Sequence, residues 1–338
     1  MFDPTSDRVH PQRSPQETAW DLFLETWPEG GFMQTSWWAK FMEGLNWGYF
    51  GVMVSHGETI LGGARVLRNF YRPGYCYYYI PEGPALPAYP EVGVQVFQYL
   101  MDYIENMRQQ EEATVSHLRM EPRWSVLPDY ITGFQAATDW MEPRHTRCLD
   151  LTQTEDTILA QMKPKGRYNI GLAQRYGVKV VEDVSPQGRA DFIQLYNETV
   201  TRQNIEAKSQ AYFDSLLTML TELKQGSIFF AEYAGVRLAA ALTVCFGGRV
   251  TYFFGGSTEQ HRHVMAPYLL HYEIMRWAKA GRYEAYDLYG ISPPDQPDHR
   301  WAGFSSFKRK LGGQDFQFVP ALDYIYDAEA YAEFERTL

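Results

Sequence analysis

The order hairpin, strand, helix, strand occurs twice along this chain, and a repeat of that kind limits the fold more than any single motif can. In the first pass "YFGVMVSHGETILGGARVL" reads as two strands around a turn at His56 and Gly57. "GYCYYYIPEGPAL" is a third strand ending in a Gly-Pro turn. A helix is predicted from about Pro90 to Gln110, with Val94, Phe97, Leu100, Met101 and Ile104 as its buried stripe, and "ATVSHLRMEP" closes the pass as a strand. The second pass is "SIFFAEYAGVRLAAALTVCFGGRVTYFFGGS", three strands with turns at Ala234 and Gly235 and at Gly247 and Gly248. A helix from about Ala266 to Ala280 follows, carrying Ala266, Leu270, Ile274 and Trp277 at helical spacing, and "YEAYDLYGI" is the closing strand. Two copies of one α/β module are therefore expected, changing over near residues 143 to 155. Duplicated modules commonly leave a cleft between them, a frequent ligand site.

The remaining segments attach to these modules. Residues 1 to 31 read as a flexible lead with a helical turn or more near Glu17 to Trp27. "GFMQTSWWAKFMEGLNW" is a short helix capped by Thr35 or Ser36, with Trp38, Phe41, Met42 and Leu45 on one face. Two helices, "FIQLYNETVTRQ" and "AYFDSLLTMLTELKQ", precede the strand at Ser227. The expected division is a lead at 1–31, a first domain at 32–145 and a second at 146–338.

An apolar fraction of 45% can build a real core, and 24 Tyr, 20 Phe and 9 Trp suit half-buried sheet faces or a ring-lined cleft. The formal net charge of -10 argues against a protein that coats nucleic acid, though it leaves a local basic patch open. Cys76, Cys148 and Cys245 show no C-x-x-C spacing, so neither a zinc knuckle nor a disulfide framework is indicated and a reducing cytoplasm fits best. The N-terminus lacks the apolar region of a signal peptide, and no run approaches the roughly 18 apolar residues of a spanning helix. A soluble protein is expected, with a peripheral membrane contact left open.

Familiar catalytic signatures are missing: no G-x-S-x-G, Walker loop, H-E-x-x-H or strand-following G-x-G-x-x-G occurs. His261 and His263 have strand-like metal spacing but no third ligand nearby, so they read as turn residues and a metal-free mechanism is favoured. Gly255 and Gly256 leave room for a ligand to touch the main chain, or simply end a strand. In an acetyltransferase-type module the strand carrying Tyr252 splays here from its parallel neighbour, and a helix N-terminus beyond offers free N–H groups to an anion. The segment "QHRHVMA" lacks both glycines of a coenzyme A loop, which disfavours pyrophosphate cradling. "KPKGRYNIGLAQRYGVKV" crowds Lys163, Lys165, Arg167, Arg175 and Lys179 together; this is either a solvated helix face or a contact for a phosphate-bearing partner such as a nucleotide or the end of a tRNA. In "GFSSFKRKLGG", Phe307 would anchor the segment while Lys308 could neutralise an oxyanion or a phosphate.

Seven stretches, "FMQTSWWAKF", "YYYIPEGPAL", "LRMEP", "KGRYNIGLAQRYGVKV", "TVTRQNIEAKSQAYF", "YFFGGSTEQHRHVMAPYLLHYEIMRWAKAGRYEAYDLYGI" and "FSSFKRKLGG", fall in an order that resembles the Fem family of peptidyltransferases over nearly the whole chain beyond the first thirty residues. The resemblance implies two tandem acetyltransferase-like (GNAT) α/β domains with a cleft that takes a muramyl-pentapeptide precursor. It places the phosphate-contacting residues at Lys40 and Arg202 and the reaction-centre lysine at Lys308. Glu121 is the acidic residue of the strand closing the first module, and Tyr252, Gly255, Gly256 and Tyr289 complete the expected substrate-binding set. Between Tyr212 and Ser227 there is room for one short helix, which resembles the branch without a helical arm.

The function so implied is transfer of an amino acid from aminoacyl-tRNA to the side-chain amine of the third stem-peptide residue of UDP-MurNAc-pentapeptide or its lipid-linked form. No cofactor or metal is implied, tRNA would meet Lys163, Lys165, Arg167 and Arg175, and a cytoplasmic monomer working at the inner membrane face is expected. Two other classes stay open: an acyl-CoA-dependent N-acyltransferase, and a non-catalytic protein that binds precursor or tRNA.

Overall fold

A computed structural model describes residues 14–337, which form two compact units: residues 14–144 with 317–337, and residues 145–316. In the first unit Ser14 and Glu17 close a capping box on helix α1 (Pro15–Glu25), which buries Trp20 and Leu24. Asp21 of α1 accepts from the amide (2.7 Å) and hydroxyl (2.5 Å) of Ser36, the first residue of helix α2 (Ser36–Glu43). The expected helical turn near Glu17 to Trp27 is α1, but residues 14–31 are packed rather than a flexible lead, because α1 has an apolar face to bury and a carboxylate that binds the next helix; residues 1–13 lie outside the described residues. Thr35 caps α2, as one of the two expected candidates, and α2 ends at Glu43, short of Leu45.

Strands β1 (Gly48–His56), β2 (Thr59–Arg72) and β3 (Tyr75–Pro81) run antiparallel, helix α3 (Pro90–Gln109) crosses over, and β4 (Thr114–Glu121) lies parallel to β3; a short β5 (Gln135–Ala136) follows. The buried stripe of α3 is Val96, Phe97, Leu100 and Ile104. Val94 is 43% exposed, because two residues at about 100° each carry it round to the far side from Val96.

The second unit begins with β6 (His145–Asp150), helices α4 (Glu155–Gln161) and α5 (Pro164–Tyr176), β7 (Lys179–Glu182), and helices α6 (Pro186–Gln203) and α7 (Gln210–Leu223). Strands β8 (Gly226–Tyr233), β9 (Val236–Phe246) and β10 (Arg249–Ser257), helix α8 (Ala266–Ala280), β11 (Ala285–Gly290), helix α9 (Ala302–Lys308) and β12 (Gln314–Gln317) complete it. The sheet order is β12-β6-β11-β10-β9-β8-β7, with β10 and β11 parallel. Leu270 and Ile274 of α8 pack with Leu238, Val250 and Leu288 in its core. Among the described residues no helix is long and apolar enough to cross a membrane.

The chain does not end in this unit. Strand β13 (Leu322–Ile325) inserts between β4 and β5 of the first sheet, and helix α10 (Ala328–Glu335) follows it, so the expected second domain of 146–338 gives up its last residues to the first. The physical reason is a buried ion pair. Arg119 of β4 and Asp323 of β13 face each other in register and bond through two contacts of 2.8 Å, at 1% and 0% exposure. Tyr331 of α10 donates to the same carboxylate at 2.8 Å, and His117 lies under Tyr77, Tyr331 and Phe334, where burial holds its pKa down at about 4. Asp323→Leu, which strands the Arg119 cation, should lower the unfolding free energy by about 3–5 kcal/mol in urea titrations. The double variant Arg119→Met, Asp323→Leu should recover most of that loss; a single-variant loss below about 1 kcal/mol would contradict the assignment.

Candidate functional site

Strands β10 and β11 pair from Arg249–Ala285 to Thr251–Asp287 and then part. Two irregularities mark the parting: β10 bulges against β9 between Tyr252 and Phe254, and the register of β11 with β6 jumps between Asp287 and Gly290. Tyr289 in that jump has φ +60, a left-handed conformation that a bulky residue adopts only when its surroundings impose it. Asp287 imposes it by accepting the Tyr289 N–H at 2.8 Å, and its own position is fixed by the Thr146 hydroxyl of β6. The turned backbone presents the Gly290 carbonyl to Lys308, whose Nζ donates to it at 2.8 Å.

Lys308 ends α9 at 8% exposure, with its ammonium 5.4 Å from the Tyr252 ring and 5.1 Å from the Phe304 ring. Burial pushes its pKa from the usual 10.5 down to about 7, against an opposing pull from Asp287. His271 of α8 shares a 2.7 Å hydrogen bond with the Tyr286 hydroxyl and meets the Tyr252 ring edge-on at 4.5 Å. Burial, helped by Lys308, drives His271 down to about 3, so the imidazole is neutral, and burial raises the Tyr252 phenol to about 12. The result is one amine poised to hold or release a proton near neutral pH, with the Asp287 carboxylate nearby and otherwise neutral polar groups around it.

Of the expected site residues, Tyr252 and Lys308 thus lie against each other, and Tyr289 directly precedes the Gly290 that Lys308 holds. Gly255 and Gly256 lie on the same strand, but protein atoms fill the space beside them. A methyl group on Gly255 would fall 1.9 Å from the Tyr252 hydroxyl, and one on Gly256 would fall 2.3 Å from the Leu195 backbone of α6. Neither glycine has a positive φ, so both are required by close packing rather than by a turn.

The other expected residues lie elsewhere. Arg202, in the second unit, donates to the Ser257 carbonyl (2.8 Å) and hydroxyl (3.1 Å) and pairs with Glu259 (3.4 Å), fastening the end of β10 to α6 beside an open groove of about 850 Å³ lined by Gln194, Asn197 and Thr201. Lys163, Lys165, Arg167 and Arg175 are all exposed on or beside α5, and Arg167 also donates to the Met162 carbonyl and caps α4. Lys40, in the first unit, pairs with Glu17 at 3.2 Å. Glu121 is buried and accepts from the Met141 amide (2.8 Å), the Glu142 amide (2.7 Å) and the Tyr79 hydroxyl (2.8 Å), which staples the 141–142 loop to the sheet; burial raises its pKa against those donors.

Sequence reasoning missed Asp287, Thr146, His271 and Tyr286 around Lys308. The available signal was a polar residue inside an apolar run, His271 beside Leu270 and Ile274 and Asp287 between Tyr286 and Leu288. In the unfolded chain Lys308 keeps its proton to about 10.5, and in the folded chain only to about 7. Folding therefore releases a proton between those values, and stability must rise with pH across that window. The wild type should gain on Lys308→Met by up to roughly 1.4 kcal/mol per pH unit from pH 7 toward 10.5, with no gain below pH 7. Urea titrations of both proteins across that range check it, and parallel curves would contradict a buried amine.

A family model described as "FemAB family" matches residues 130–234 and 221–334, together more than half of the chain. The UDP-N-acetylmuramoylpentapeptide-lysine N(6)-alanyltransferase of Weissella viridescens is 26% identical over 195 residues, 57% of this chain and 56% of that one. The lipid II:glycine glycyltransferase of Staphylococcus epidermidis is 19% identical, covering 94% of this chain and 93% of its own. Among solved structures, FemX superposes with a TM-score of 0.84 at 18% identity over 97% of this chain and 99% of that one. A tandem GNAT protein from the clavulanic acid biosynthesis pathway superposes with a TM-score of 0.51 at 11% identity over 82% of each chain. The fold is thus the mixed α/β architecture of tandem GNAT proteins, and the chain belongs to the FemAB family.

Proposed function

We propose that this protein transfers an amino acid from aminoacyl-tRNA to the side-chain amine of the third stem-peptide residue of a peptidoglycan precursor, nucleotide-linked or lipid-linked. The reading draws on the names of its relatives, one a lysine N(6)-alanyltransferase of the muramoyl pentapeptide and one a glycyltransferase of lipid II. The observation that carries it is the buried amine of Lys308, held on the Gly290 carbonyl where β10 and β11 part. The substrate amine adds its lone pair to the ester carbonyl, the tetrahedral intermediate expels the tRNA 3′ oxygen, and that oxygen takes up the proton the amine gives up. The exchange needs no ATP, metal or protein nucleophile. It requires alignment and stabilisation of the oxyanion.

Lys308, in its protonated form, is the electrostatic element for that oxyanion. Asp287 acts through it, as a positioning residue that sets the backbone at Tyr289 and favours the cation. Lys40 and Arg202 hold the precursor phosphates, and the exposed cations of α5 meet the tRNA.

Mass spectrometry of purified precursor incubated with mixed aminoacyl-tRNA tests the reading, with the mass of one amino acid gained on the stem-peptide amine as the expected product. Release of free thiol from an acyl-CoA donor would instead mark a CoA-dependent transferase, and binding without amide product a non-catalytic protein. Lys308→Met should cost on the order of 10² to 10³ in kcat while both substrates still bind within about 1 kcal/mol of wild type. A near-normal single-turnover rate at saturation would end the oxyanion role. Lys40→Met and Arg202→Met should each weaken precursor binding by about 1.5–3 kcal/mol in calorimetry, with KM rising far more than kcat falls.

A further inference from the structure

Arg65 of β2 stands opposite Gly51 of β1, and its guanidinium lies across that glycine: a methyl group on Gly51 would fall 2.1 Å from Nη1. The Arg65 backbone is anchored on both sides by Gln34, which accepts from its amide at 2.8 Å and donates to its carbonyl at 3.2 Å. The side chain is anchored by nothing comparable. Its Nε is buried without a hydrogen-bond partner, and the guanidinium makes no hydrogen bond or ion pair with any described residue.

A guanidinium in that position costs stability. Burial pushes its pKa down, and Asp21, Glu17 and Tyr49 oppose this through space. Both nearby carboxylates are engaged elsewhere: Asp21 accepts from the amide and hydroxyl of Ser36, and Glu17 from Lys40 and Ser14. A hydrocarbon of the same size would fill the place at no such cost. The arrangement leaves a rigidly based cation, with a free planar fork, sharing Glu17 as a neighbour with the partly exposed ammonium of Lys40.

We infer that Arg65 is an anion-binding residue of the first unit, taking a phosphoryl group in the fork of its guanidinium with Lys40 as the second cation. An arginine fork matches two oxygens of one phosphoryl group, whereas a lysine contributes a point charge. Gly51 is glycine for the same reason, since a side chain there would displace the fork. The inference rests on the phosphate role proposed for Lys40 only in naming the natural ligand as the precursor diphosphate.

Inorganic pyrophosphate is the probe, titrated calorimetrically into the full chain at fixed ionic strength. Arg65→Met should weaken its binding at least about tenfold and Arg65→Lys about three- to fivefold. Gly51→Ala should weaken binding while every charge is kept. Arg276→Met, which removes an exposed cation of the second unit, should leave it unchanged. The melting temperature of Arg65→Met should equal or exceed that of the wild type, since the removed cation has no hydrogen-bond or ion-pair partner among the described residues. Binding by Arg65→Met within about twofold of wild type, or no pyrophosphate binding by the wild type at millimolar concentration, overturns the inference. So does a melting temperature several degrees lower in Arg65→Met, which would make the guanidinium a structural support. Aminoacyl transfer is assayed on the same samples. Arg65-dependent pyrophosphate binding without transfer leaves the anion site standing and removes the proposed function, and transfer with Arg65-independent binding does the reverse.

Discussion

The first sheet is completed by the last strand of the chain, and the contact that requires this is the Arg119–Asp323 pair. The two residues are 204 apart in sequence yet directly opposed in register, both out of water. Neither charge can be left alone at that depth, so the chain must return from the second unit to place β13 beside β4. Helix α10 then has a defined seat, and Tyr331 and Phe334 close over His117 and Tyr77. This also explains why the first unit is discontinuous, whereas the second is, among the described residues, one stretch.

A second buried carboxylate organises the other unit. Asp287 ends the parallel pairing of β10 with β11, holds Tyr289 in its left-handed conformation and opposes the loss of the Lys308 proton. One side chain thereby couples backbone geometry to electrostatics: the turn that frees the Gly290 carbonyl is also the turn that seats the amine. Burial and the Asp287 charge work against each other on Lys308, and burial prevails. An amine near its own pKa at neutral pH is the outcome.

The cations of this acidic protein divide by what they already hold. Arg119, Arg167 and Arg237 are spent on the fold: Arg119 on β13, Arg167 on the end of α4, and Arg237 on Asp183, Asp191 and Glu232. Arg202 also fastens Ser257, but its pairing with the exposed Glu259 lies at the open groove, where a phosphate would have to displace that carboxylate. Arg65 differs in being anchored through its backbone and, among the described residues, unmatched at its charge, a distinction that composition and net charge cannot convey.

The chain by itself determined the two modules and most element positions. Turn chemistry and apolar periodicity are local, so β1 through β4, α3 and β8 through β11 read correctly, and the motif pattern carried the family. Lone placements failed where only packing decides. Val94 looked like part of a buried stripe, Gly255 and Gly256 looked like room for a ligand or the end of a strand, and the helix near Glu17 to Trp27 looked like part of a flexible lead. Tertiary contacts alone decided that Tyr252 and α6 fill the glycine space, that Asp323 finds Arg119, and that Asp287, His271 and Tyr286 surround Lys308. The reason is physical: strand and helix formation follow short-range spacing, whereas burial of a charge and the partner it demands depend on residues brought together only by the folded chain.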